Sequence, residues 1–138
     1  MARARITVIA VLTVALMTGL GPGSATGASS TGVLRVTERF IESPTMYVEG
    51  AVEYVSVQRV STGALVLKRR FDLGEIRLTR RLPAGRYLLT SWTRSCSGTC
   101  ENLDPPTSSC KRVVRVRGGK TRRVTIVSQV GQHCRITL

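Results

Sequence analysis

The chain is short of the side chains on which most catalysis depends. Histidine occurs once, at position 133, and there are only eight acidic residues in 138. A serine or cysteine nucleophile needs a base held beside it, and His133, next to Cys134, is the one imidazole to draw on. Glu49 and Glu53 lie four apart on an expected strand, so they share a face without touching and read as ordinary surface. A paired-carboxylate glycosidase would also need a wider groove than so short a chain can build. Aromatic residues are equally scarce, with two Phe, three Tyr and one Trp, which leaves little for base stacking. Cys96 and Cys100 are spaced C-x3-C, neither the C-x2-C of a zinc knuckle nor a redox pair, and Gly118-Gly119 reads as a hairpin tip rather than a phosphate cradle. No enzymatic activity, metal or cofactor is expected.

Long apolar runs are also missing. The longest, residues 6–20, falls short of the ~20 residues a helix needs to cross a bilayer, and Gly19, Gly21, Pro22 and Gly23 break it. Arg3 and Arg5 precede it and small residues follow, so residues 1–27 read as a secretory signal peptide. The mature chain is therefore expected outside the cell, with no membrane contact once the leader is removed. Residues 28–32, within a stretch rich in Gly, Ser, Ala and Thr, are expected to form a flexible tether. Residues 33–138 then make one domain of ordinary size.

Basic residues are abundant: 21 Lys plus Arg give a formal charge of +13. Such a chain attracts polyanions with a strong salt dependence. The charge is spread in pairs such as Arg69-Arg70, Arg80-Arg81 and Arg122-Arg123, without a nucleic-acid motif, so general surface charge is the reading and no specific nucleic acid is expected.

From Val33 onward the apolar pattern is short, β-branched and alternating, and no window keeps helical spacing. The pattern predicts an all-β domain with strands at 33–40, 47–60, 64–71, 75–82, 87–93, 112–116 and 121–128, and a short last one at 134–138. Turn signals separate several of them, at 61–63, 72–74, 83–85 and 118–120. Alternation puts Val114 and Val116 on one face with Arg115 and Arg117 on the other, and sets Tyr87 and Leu89 against Leu88, Thr90 and Trp92.

The steps Ser61-Thr62-Gly63-Ala64-Leu65-Val66, Leu82-Pro83-Ala84-Gly85-Arg86-Tyr87-Leu88-Leu89 and Val114-Arg115-Val116-Arg117-Gly118-Gly119-Lys120-Thr121 resemble the prealbumin-like sandwiches. These include the carboxypeptidase regulatory-like and Cna B-type domains of secreted proteins. The resemblance implies a seven- to eight-stranded prealbumin-like (Ig-like) sandwich acting as an adhesive, stalk or accessory module. In this reading Pro83 fixes φ, Gly85 permits positive φ and Tyr87 enters the core. Cna B-type domains commonly carry a Lys to Asn isopeptide bond. Here Asn102 is the sole asparagine and lies in the cysteine-rich loop, so disulfides are expected to take its place.

Cys96, Cys100, Cys110 and Cys134 form an even set, which in an exported domain predicts two disulfides. The preferred pairing is Cys100 with Cys110 and Cys96 with Cys134; the rival pairs Cys96 with Cys100 and Cys110 with Cys134. Glu101, Asn102 and Asp104 lack the fuller spacing of a calcium loop, and Asp104-Pro105-Pro106 reads as a rigid turn suited to a partner. Candidate binding residues are Trp92, Asn102, Asp104, Pro105 and Pro106. The leading function is a non-enzymatic binding or structural module, with an extracellular protein or a cell-wall glycan as partner. The alternatives are a small proteinase inhibitor presenting loop 97–109 and a glycan-binding module stacking sugars on Trp92, Tyr47 and Tyr54.

Overall fold

The computed structural model describes residues 30–41, 50–96, 100–129 and 134–138. The expected leader, Tyr47, Glu49 and His133 lie outside the described residues. Eight strands follow in order: β1 (Thr31–Ile41), β2 (Ala51–Arg59), β3 (Leu65–Asp72), β4 (Arg77–Pro83), β5 (Gly85–Ser95), β6 (Ser108–Val116), β7 (Thr121–Gln129) and β8 (Arg135–Thr137). They form two four-stranded sheets, ordered β4-β1-β7-β8 and β3-β2-β5-β6. Every pairing is antiparallel except β1 with β7, where Val36 lies beside Val124 in parallel register.

Alternation decides which residues meet between the sheets. Leu34 and Val36 of β1, Val55 and Val57 of β2, Tyr87 and Leu89 of β5, Val114 and Val116 of β6, and Val124 and Ile126 of β7 all bury inward. Arg115, Arg117 and Arg123, on the opposite parity, are exposed. Burial of these side chains, at roughly 25 cal/mol per Å² of apolar area, drives the two sheets together. The edge strands are guarded by charge: Lys68, Arg69 and Arg70 lie on β3, and Arg77, Arg80 and Arg81 on β4. Two of the three arginine pairs are thereby explained as protection against edge-to-edge pairing.

The turns correct two expectations. Gly63, Gly74 and Gly119 adopt positive φ, as their turns require, but Gly85 does not. Gly85 is the first residue of β5, opposite Val116, and the chain passes from one sheet to the other at Ala84. The tether also ends earlier than expected, because Thr31 and Gly32 pair with Pro83 and Leu82 as the start of β1. Gly32 sits so close to the β6–β7 connection that a Cβ there would meet the Arg117 carbonyl oxygen at 2.1 Å.

Tyr87 enters the core as expected, and its hydroxyl donates to the Pro83 carbonyl at 2.7 Å. That bond fixes the crossing between sheets from inside. Tyr87→Phe is expected to lower stability by about 1 kcal/mol without changing the fold, measured by urea unfolding. An unchanged midpoint would show that the hydroxyl does not hold the crossing.

The disulfides are Cys96–Cys100 and Cys110–Cys134, so the preferred pairing is overturned in favour of its rival. The reason lies in the sheet order. β6 and β8 are edge strands of different sheets on the same side of the sandwich, which brings Cys110 and Cys134 together. The Arg112 guanidinium donates to the Ile136 carbonyl at 2.7 Å and reinforces the same seam. Cys96 and Cys100 close a short turn at the end of β5, against Gly50.

Candidate functional site

The outer face of the sheet β3-β2-β5-β6 carries the most distinctive surface chemistry. Tyr54 of β2 and Trp92 of β5 are direct cross-strand partners. Their rings lie 5.2 Å apart between centroids and only 10° from parallel. Both are half-buried and project away from the core. Lys68 of β3 places its Nζ 5.5 Å from the Trp92 centroid and 5.7 Å from that of Tyr54. A cation at that distance is attracted by the ring quadrupoles. Arg70 is registered beside Tyr54, and Lys111 beside Thr90, so cations flank the rings on two sides. Such a surface can stack a pyranose ring and pair with an acidic group on it.

The disulfide loop rims this face. Arg94, on the same parity of β5 as Trp92, donates to the carbonyls of Asp104 and Leu103, both at 2.5 Å. The Asp104 amide donates to the Ser95 carbonyl at 2.9 Å, and Cys96 bridges Leu103. Asn102, Asp104, Pro105 and Pro106 are all exposed on this tied-down loop. Thus Trp92 and the loop candidates belong to one end of one face, linked through Arg94. Of the loop 97–109 named in the inhibitor reading, residues 97–99 lie outside the described residues, and Ser108 and Ser109 belong to β6. Among the described residues no cluster of three or more His, Cys, Asp or Glu gathers to hold a metal.

The second polar feature is internal, and it corrects the reading of Glu53 as surface. Glu53 is 1% exposed and meets Glu38 across the gap between the sheets. Ser128 donates to Glu38, and the Ile76 amide donates to the same carboxyl group at 3.3 Å. The Gly74 amide reaches Glu53 at 3.4 Å. Burial first, and then the hydrogen bond and negative charge of Glu38, push the Glu53 carboxyl up to about 8; the Gly74 amide and Ser128 act against this. The adjoining cavity, bordered by Phe40, Thr93 and Ser128, measures about 50 Å³, room for a few waters and no substrate. The Glu53 carboxyl, buried beside Glu38, is thereby held toward its protonated form in the protein interior. A signal for the pair was present in the strand parity: Glu38 is in phase with Leu34 and Val36, and Glu53 with Val55 and Val57.

No family model, curated protein or solved structure matches the chain. Among the described residues no helix is long and apolar enough to cross a membrane.

Proposed function

We propose that the protein is an exported, non-catalytic β-sandwich module of the prealbumin-like class that binds acidic glycans on its Tyr54–Trp92 face. Residues 1–27 serve as a cleaved leader in this reading, and the two disulfides suit an oxidising compartment. The observation that carries it is the parallel pair of half-exposed rings with Lys68 above them. The rings supply stacking area, and Lys68 and Arg70 select a carboxylated or sulfated sugar over a neutral one. The ligand replaces Lys68 over the rings and keeps its ammonium as an ion-pair partner.

Trp92 is the chain's single tryptophan, so its fluorescence reports the site directly. Titration with oligogalacturonate is expected to change that emission saturably, with weaker binding of a neutral cello-oligosaccharide. Trp92→Ala is expected to weaken affinity, followed by calorimetry, about tenfold or more. Part of the binding should survive salt high enough to screen surface charge. Loss of all binding at moderate salt, or equal affinity in Trp92→Ala, would rule the platform out.

A further inference from the structure

Edge protection accounts for two arginine pairs but not for Arg122-Arg123, which lies in β7, a strand flanked by β1 and β8. On β7 the parity of Arg122 is that of Val124 and Ile126, so it starts on the inward side of its sheet. β8 reaches only as far as Thr125, and the first residues of β7 are left open on that side. There a cleft of about 290 Å³ opens, lined by Arg115, Arg117, Lys120, Thr121 and Arg122. Four of these five residues are cationic and none is acidic. The Arg122 Nε is fully buried and has no hydrogen-bond partner.

Both facts are costly in the unliganded protein. A buried donor without an acceptor loses the hydrogen bond it made to water, and like charges around one cleft repel each other. The described Asp and Glu side chains are elsewhere, with Glu53 buried beside Glu38. Glu38 is registered with Ile126, whereas Arg122 is registered with Leu34, four residues and about 13 Å along the strand. Asp72 and Glu75 border the β3–β4 turn, and Glu101 and Asp104 lie in the disulfide loop. No described Asp or Glu side chain is among the residues that line the cleft.

We infer that this cleft is an anion site for a ligand bearing several phosphoryl groups. A guanidinium presents paired donors that match two phosphate oxygens, and a multiply charged chain engages several of these cations at once. The volume is near the lower end of ligand pockets, enough for a short oligophosphate and too small for a large folded partner. The site is separate from the Tyr54–Trp92 face, and its ligand need not be the glycan proposed above.

Calorimetric titration of the oxidised protein with tripolyphosphate, at fixed ionic strength, tests the inference. One molecule is expected to bind per chain. Arg122→Gln is expected to weaken it about tenfold or more, the loss of a charge-assisted hydrogen bond. Arg117→Gln, at an exposed position, is expected to weaken it in the same direction and serves if the Arg122 variant fails to fold. Arg77→Gln with Arg81→Gln removes two charges from β4 and is expected to leave affinity within about twofold. If the β4 variant loses as much affinity as the cleft variants, or if several molecules bind with no change in either, attraction is diffuse and the site does not exist. Trp92→Ala is expected to leave tripolyphosphate binding intact, so failure of the glycan reading and of this one are told apart.

Discussion

Glu53→Gln is expected to stabilise the protein most at alkaline pH and to remove much of its pH dependence. The ordinary value of the Glu53 carboxyl is 4.5 and the folded protein raises it to about 8. Between those limits the native state holds a proton that the unfolded chain has released. Stability therefore falls as pH rises from about 4.5 to 8, and the full penalty stands above that. By the linkage relation the loss is on the order of 3 to 5 kcal/mol, a large share of the stability of a small domain. Glutamine keeps a donor facing Glu38 and has no proton to lose. Urea unfolding of both proteins from pH 5 to 9 should give a declining midpoint for the wild type and a nearly level one for the variant. Parallel slopes would show that Glu53 does not hold the extra proton.

The second large effect is expected at the seam between β6 and β8. Cys110–Cys134 closes a loop with a sequence separation of 24, and Cys96–Cys100 one of 4. In the chain-entropy account the first contributes roughly 3 to 4 kcal/mol and the second about 2. Cys110→Ala with Cys134→Ala should therefore cost markedly more than Cys96→Ala with Cys100→Ala. It should also increase amide exchange in β8, which pairs with only three residues of β7 and is otherwise held at this seam by the disulfide and the Arg112 bond to Ile136. Equal losses from the two double variants would mean that the long loop is already constrained in the unfolded chain. Peptide mapping without reduction gives an independent check of the pairing.

These two effects rest on features that differ in how far they could be read along the chain. All eight strands correspond to expected segments, with boundaries moved by a few residues, because a half-buried strand writes its face into every second residue. The inward place of Tyr87, Leu89, Val114 and Val116 followed from the same rule, as did the outward place of Trp92. Gly85 departs from the expectation because Pro-Ala-Gly signals a tight turn, whereas here the chain bends at Ala84 to cross between sheets and Gly85 already begins β5. The disulfide pairing differs for another reason. Cys100 with Cys110 and Cys96 with Cys134 suit a closed loop and its base, whereas the bonds that form depend on which sheet edges lie side by side.

The candidate sites divide in the same way. Residue type alone points to Trp92 and Tyr54 as stacking candidates, while their meeting with each other and with Lys68 comes only through the order β3-β2-β5. Glu38 and Glu53 are 15 positions apart on strands of different sheets, and no local pattern pairs them. Arg122 looked like one of several basic doublets until β7 proved to lie inside its sheet rather than at an edge.

The amino-acid order by itself determined the strand class, the inward and outward faces and most of the turns, since these follow from period-2 alternation and from residues acting within a few positions of each other. Tertiary structure alone decided which cysteines bond, which two carboxyls meet, which rings stack and which cations gather around one cleft. Those meetings depend on how distant strands are ordered in two packed sheets, a property carried by the whole core and by no single segment.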